Sequence, residues 1–329
     1  MEPLVGSGLL TGAIGAAGLE RVGESSGIAR PTRITAVLRG GLGNQLFQYA
    51  MARSLSLRLN TDLYVDDTSE FMLDREYRRT YALSLLVPAA KRVSRLHVAR
   101  WLALRAICKA ARIARCPRTS FDRLTCGRVL HEAASTAYTP VPALTHAPWT
   151  IYGYWQSPRY FEEHARQIGM ELLPPMPTDR TFLAVGDAIR GSESVAVGLR
   201  LYEESRVPES HASDLRLKSA DEFGSIVRVL RKRYPGAKFV FFCSHYPSSF
   251  PLLDLPNDTV VATPDNGFGC PLGSLWLMSQ CKHHVIGNSS LYWWGAWMSQ
   301  WVHAGCDQDI FAAGNFKNAD AIPKGWVRF

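Results

Sequence analysis

The sequence predicts an α/β protein built on parallel sheet, and three observations carry that reading. From residue 194 onward, short apolar runs alternate with helical patterns, as they do in parallel sheets covered on both faces. Near the start, an apolar run at 34–38 enters the glycine turn Arg39-Gly40-Gly41-Leu42-Gly43-Asn44-Gln45, and a helical pattern follows to about residue 59. Near the end, the strand-like run 284–286 enters Gly287-Asn288-Ser289-Ser290 and an aromatic-rich helix through Trp297.

At 329 residues the chain is long enough for two domains of ordinary size. The cluster Leu173-Pro174-Pro175-Met176-Pro177 is the best linker candidate. The expected organisation is a poorly ordered leader over 1–32, a first domain over 33–177 with a basic helical insert, and a second domain over 178–329. Residues 1–30 are rich in Gly, Ala and Ser and lack the basic start and compact apolar core of a signal peptide.

Composition narrows the function classes. The chain is 47% hydrophobic and 20% charged, as soluble globular proteins are. No apolar run approaches the roughly 20 residues needed to span a bilayer. The net charge is +8, and nine Lys or Arg residues with no acid lie between Lys91 and Arg118. That segment reads as a solvated helix or as a peripheral contact with anionic lipid head groups or acidic carbohydrate. Nucleic acid is not an expected partner, because no nucleic-acid motif accompanies the charge. Seven scattered cysteines without a Cys-x-x-Cys pair argue against a disulfide framework or zinc site. They favour a reducing compartment, hence a cytoplasmic location, with the inner membrane face as the place of any peripheral contact.

The elements follow in order. Strand, glycine turn, helix over 34–59 is the layout of a nucleotide or phosphate loop. It is not the dinucleotide fingerprint, since Leu46 stands where the third Gly or Ala belongs, and it lacks the Lys-Ser/Thr of a Walker loop. Its glycines admit a ligand or a neighbouring backbone; a tight turn with no ligand is the plainer alternative. A strand is expected over 62–65, then the basic helical region, then a Pro-punctuated stretch over 139–148. Strands are expected over 194–199, 238–243 and 259–262, with helices over 221–234 and 272–282, the first stopped by Pro235-Gly236. Parallel sheets place ligands at the carboxyl ends of their strands, where Arg200, Ser244 and Asn288 all fall. Asn288 and Ser289 are expected to cap the last helix through their side-chain oxygens. A hydroxyl-rimmed helix start also suits an anion such as a phosphate.

Three blocks together resemble a known family. Gly40-Gly41-Leu42-Gly43-Asn44-Gln45-Leu46-Phe47-Gln48-Tyr49-Ala50 is similar to the opening motif of bacterial and animal α-1,2-fucosyltransferases. Gly153-Tyr154-Trp155-Gln156-Ser157 through Tyr160-Phe161 resembles a mid-chain motif of that family. Leu277-Met278-Ser279-Gln280-Cys281-Lys282-His283, with Asn288-Ser289 and Trp293-Trp294-Gly295-Ala296-Trp297, resembles its C-terminal signature. The blocks keep the family's order and cover most of residues 33–329.

The resemblance implies a GT-B glycosyltransferase of two facing Rossmann-like domains, inverting and metal-independent. It implies GDP-fucose as co-substrate, no resident cofactor, and a galactose-terminated glycan acceptor in the cleft. Residue by residue, Asn44 would act at the cleft beside Gly41 and Gly43. Arg200 would grip the donor diphosphate, and Asn288, Ser289 and Ser290 would surround the phosphates, with Ser244 nearby. The central motif departs from the family's His-x-Arg-Arg-x-Asp. It reads Gly198-Leu199-Arg200-Leu201-Tyr202-Glu203, keeping only the first arginine, and His245 follows Ser244 where the family commonly has an acid. The departures leave another nucleotide sugar open as donor, and a silent binding protein as the remaining alternative.

The chemistry suits these residue types. Charge grows on the leaving phosphate as the sugar bond breaks, and a guanidinium meets two phosphate oxygens without losing its proton. The acceptor hydroxyl needs a base; Glu203 and Glu204 are the acids nearest Arg200 in sequence, and neither is assigned that role over the other. Asp307-Gln308-Asp309 fits the Asp-x-Asp string of metal-dependent enzymes but reads as surface, and His283-His284 cannot both face one site if they lie in a strand. No metal site is expected.

Overall fold

A computed structural model describes residues 33–113, 128–133, 135–144, 148–200, 219–244 and 250–329. Two parallel sheets organise these residues. The first holds β1 (Arg33–Val37), β2 (Asp62–Asp66), β3 (Lys91–Arg92), β4 (Arg128–His131) and β5 (Trp149–Tyr152), in the order β3-β2-β1-β5-β4. The second holds β6 (Ser194–Gly198), β7 (Lys238–Phe242), β8 (Val260–Ala262), β9 (His283–Ile286), β10 (Ile310–Ala312) and β11 (Val327–Arg328), in the order β11-β10-β9-β6-β7-β8. Every strand pair among the described residues is parallel, so each half is a Rossmann-like α/β unit. The expected leader over 1–32 lies outside the described residues.

The helices explain how the halves meet. Helix α1 (Leu42–Leu59) buries most of its circumference, since it runs between the first sheet and the other half. Helix α8 (Ser290–Val302) carries Trp293, Trp294 and Trp297 and packs against α1. Phe47 of α1 lies 4.5 Å from the Trp293 ring and 5.1 Å from the Trp294 ring. Phe161 stacks on Trp294 at 5.7 Å. One apolar cluster therefore runs from Ile34 and Phe47 through these tryptophans to Ala196 and Val240. The mainly hydrophobic composition of α1 and α8 is the sequence cause: neither helix has a polar face to give to water.

The remaining helices are α2 (Ser69–Leu73), α3 (Arg95–Ile113), α4 (Ala165–Leu172), α5 (Arg180–Ile189), α6 (Ala220–Arg233) and α7 (Pro271–Gln280). The basic region expected to be helical is α3. It turns Trp101 and His97 inward and leaves Leu96 and Ile107 exposed, so charged and apolar residues do not separate onto two faces. No described helix is long and apolar enough to cross a membrane.

Helix α6 begins one residue earlier than its apolar pattern suggests because Ser219 and Glu222 form a capping box. Ser219 Oγ accepts from Glu222 N at 3.2 Å, and Ser219 N donates to Glu222 Oε2 at 2.9 Å. Ser219→Ala is expected to cost about 1 kcal/mol, read as a lower urea midpoint with an unchanged slope.

No disulfide joins Cys108, Cys243, Cys270, Cys281 or Cys306, while Cys116 and Cys126 lie outside the described residues.

Candidate active site at the junction of the two halves

The site is built where strand ends and helix starts from both halves converge. β1 gives way to Leu38 and Arg39, and Gly40 turns the chain with φ of 74°, a left-handed conformation that suits glycine. Two buried glutamines hold this turn. Gln45 donates to the carbonyls of Gly40 and Thr80 and accepts from Ala82 N and Leu83 N. Gln48 accepts from Arg39 N at 2.9 Å and donates back to the Arg39 carbonyl at 3.3 Å. Both amides lie in the first sequence block, where nothing local marks their role; burial makes each amide bond worth keeping.

Gly43 answers a question the sequence left open. Any Cβ there would collide with Leu291 N and the Ser290 carbonyl carbon. The close approach is thus between two backbones, the start of α1 on the start of α8. Gly41 meets nothing within 4 Å and faces open space. Asn44 is half-buried, and its Oδ1 accepts from Gln156 Nε2 at 2.8 Å. The first and second sequence blocks therefore touch at Asn44–Gln156, and the first and third touch at Gly43–Ser290.

On the second sheet, Gly287 N donates to the Gly198 carbonyl at 2.8 Å, continuing the ladder past the end of β6. The Arg200 backbone nitrogen lies 3.6 Å from where a Cβ on Gly287 would be, so Arg200 leaves the sheet beside the Asn288 turn. Ser244 ends the extension of β7, the next strand. Tyr292 Oη donates to the carbonyls of Leu199 and Phe242, each at 3.2 Å, and ties these strand ends together. Its ring also explains the departure at 198. A Cβ on Gly198 would lie 2.7 Å from Tyr292 Cδ2, so the ring leaves no room for a larger residue at 198 in this chain.

The capping expectation for the last helix is corrected. Ser289 is the N-cap, but its side chain makes no capping bond. Asn288 instead donates through Nδ2 to the Asn315 carbonyl at 3.0 Å. The segment after β10 runs beside the turn and supplies that acceptor. That segment also holds the first half, where Ala319 N donates to Thr136 O and Ser157 Oγ donates to Asp320 O, while Trp293 Nε1 of α8 donates to Ala321 O. Asp320 accepts from Tyr138 N and pairs with Arg159 at 3.4 Å. Residues 315–321 thus link the Asn288 turn to the loop after β5.

At the carboxyl edge of the first sheet lies a charged group that joins Arg39 and Tyr154 to Tyr152, Glu70 and Glu132, which lie in no sequence block. Arg39 donates to Tyr152 Oη at 2.6 Å and lies 4.1 Å from the Tyr154 ring centroid. Burial opposes its charge, but Tyr154, Tyr152 and Glu70 more than offset this and hold its pKa above the ordinary value. Glu70 is nearly enclosed and accepts from Trp101 Nε1 and Tyr152 Oη, with Arg105 at 3.1 Å. Glu132, just past β4, accepts from Tyr154 N at 2.8 Å and Trp155 N at 3.0 Å. Burial raises its pKa despite those bonds and the positive charges of Lys317 and Arg39.

Glu203 and Glu204, the acids set beside Arg200, and His245 lie outside the described residues. Asp309 accepts from Tyr234 Oη at 2.8 Å and pairs with Arg233. His283 meets Glu193 at 2.6 Å while His284 reaches the Cys281 carbonyl, so the two imidazoles serve different places. Burial pushes His284 down to about 3, and it stays neutral.

No family model matches the chain. It is 26% identical over 318 residues to an alpha-1,2-colitosyltransferase of Escherichia coli, covering 90% of this chain and 98% of that one. It is 24% identical over 276 residues to the O-antigen biosynthesis glycosyltransferase WbnK of Escherichia coli, covering 80% and 89%. Among solved structures it is similar to the fucosyltransferase NodZ from Bradyrhizobium, with a TM-score of 0.43 at 16% identity, covering 81% and 93%. The chain is a homologue of bacterial glycosyltransferases over nearly its whole length.

Proposed function

We propose that this glycosyltransferase moves L-fucose from GDP-fucose to the 2-hydroxyl of a galactoside in a surface glycan, with inversion and without a metal. The observation that carries the reading is the convergence of three separated sequence blocks on one spot. Asn44 bonds Gln156, Gly43 abuts Ser290, and the Arg200 backbone leaves the sheet beside Gly287. In this reading Arg200 neutralises the leaving diphosphate, and Ser289 and Ser290 at the start of α8 bind it with Asn288. Asn44 and Gly41 form the facing wall, Gly43 lets the start of α1 close on the start of α8 instead of lining it, and Ser244 lies at the neighbouring strand end.

A second reading keeps the site and changes the sugar. Colitose is L-fucose without its 3-hydroxyl, and the colitosyltransferase of Escherichia coli matches this chain nearly end to end. The altered Gly198–Glu203 stretch is where the donor would be told apart.

A panel of nucleotide sugars in thermal-shift assays, followed by incubation with galactose-terminated acceptors, tests both. The true donor should raise the melting temperature most, since ligand bound only to the native state stabilises it in proportion to its affinity. It should also yield a glycosylated product in the presence of a chelator. GDP-colitose stabilising more strongly than GDP-fucose would select the second reading. Failure of every donor to bind would end both. Contact with anionic lipid through α3 is proposed with the same reading; flotation on phosphatidylglycerol vesicles should be salt-sensitive, and no flotation at low salt would refute it.

A further inference from the structure

We propose that Glu132 is the general base that takes the proton of the acceptor hydroxyl; this rests on the glycosyltransferase reading and completes its chemistry. Glu132 is the first residue beyond β4, and its own N–H continues the ladder to the Tyr152 carbonyl at 3.1 Å. It therefore stands at the carboxyl edge of the first sheet, the edge at which parallel sheets bind ligands. Its carboxylate crosses to the loop after β5, where Gly153 leaves room: a Cβ at 153 would press on Glu132 Cβ.

Two backbone N–H groups fix the carboxylate, one on each oxygen. They occupy two of its roughly four lone-pair positions and leave the others able to accept. The second of those donors belongs to Trp155, which holds a left-handed φ of 56°. Such a conformation in a bulky residue is strained and persists where surroundings enforce it. The next residue is Gln156, whose amide bonds Asn44. Glu132 is thus coupled through one strained turn to the residue at which the sequence blocks meet.

The other described carboxylates at this edge are committed. Asp66 is fully buried and accepts from Thr68 N, Ser69 N and Ser69 Oγ. Asp67 pairs with Arg92 and accepts from Thr68 Oγ1. Glu70 is enclosed by Trp101, Tyr152 and Arg105. Glu132 is half-exposed, and among the described residues no ion pair closes on it. The groups that act on it are Arg39 from the end of β1, Lys317 from the segment after β10 and Tyr160 from the turn after Ser157. Lys317 belongs to the second half, so Glu132 looks across the junction. Burial makes it a stronger base than an ordinary carboxylate, which is the direction proton abstraction needs.

The step balances. The acceptor oxygen's lone pair forms the bond to the anomeric carbon, and the bond from that carbon to the diphosphate breaks, its electron pair leaving on the phosphate. The hydroxyl proton passes to Glu132, which returns it to solvent after product leaves.

The test compares wild type with Glu132→Gln and Glu132→Ala in the full chain, using the donor that stabilises it most and a galactose-terminated acceptor. Glu132→Gln should lower kcat by about a hundredfold or more, in the range ascribed to a lost general base. Its melting shift with GDP should stay as in wild type. The fall of kcat/KM on the acid side should disappear with the carboxylate, and formate should restore part of the activity of Glu132→Ala. Transfer by Glu132→Gln within threefold of wild type overturns the assignment. So does a loss of GDP binding that parallels the loss of activity, which would mark a purely structural clamp. A wild type inactive with every donor refutes the transferase reading itself and the base assignment with it.

Discussion

Arg200→Ala is expected to lower transfer by roughly a hundred- to a thousandfold, about 3–4 kcal/mol of barrier, and to weaken GDP binding. The expectation comes from where the residue leaves the sheet. Leu199 N donates to the Phe242 carbonyl at 3.0 Å, its own carbonyl accepts from Tyr292, and Gly287 N holds the Gly198 carbonyl. The backbone entering position 200 is therefore held beside the Asn288–Ser290 turn. A cation carried there meets the charge that develops on the diphosphate. Arg200→Lys should recover only part of the loss, because an ammonium is a point charge and cannot form the two-pronged contact. Isothermal titration with GDP and initial rates of transfer measure both. Undiminished GDP binding in Arg200→Ala would remove the residue from the donor site.

Much of the architecture is readable in the residue order, and the limits of that reading have physical causes. Strands over 33–37, 194–198, 238–242 and 283–286 show as short apolar runs because both faces of a parallel strand are covered. The glycine turn shows too, but not what approaches it. That Gly43 exists for the backbone of Ser290 depends on how two distant helix starts pack, which no local pattern encodes. No local pattern shows that Ser289 makes no cap bond either, or that Asn288 reaches a carbonyl in the segment after β10. Gly198 reads as a lost histidine in sequence and as room for Tyr292 in three dimensions. Glu132 lies in no recognised block. Only the parallel pairing of β4 with β5 brings it opposite Gly153 and Trp155.

The largest effect on stability is expected from Trp293→Ala. Trp293 is fully buried, and its ring lies 4.5 Å from Phe47, 5.1 Å from Trp294 and 5.5 Å from Trp326. Its Nε1 donates to the Ala321 carbonyl at 2.7 Å. Truncation removes the ring, leaves a cavity and strips a buried carbonyl of its donor. Removing a buried tryptophan costs about 3–5 kcal/mol, and the orphaned carbonyl adds to the cavity cost. Because α1, α8 and residues 315–321 all touch this ring, the loss should spread beyond the core. Nucleotide binding should weaken in step with stability, since the Asn288 turn hangs from the same segment. Trp293→Phe keeps most of the packing and loses the N–H, so it should cost less. Urea unfolding and GDP titration on the three proteins separate these terms. A Trp293→Ala protein within about 1 kcal/mol of wild type would mean that the tryptophan cluster does not bind the halves into one cooperative unit. In that case the site could not depend on their junction.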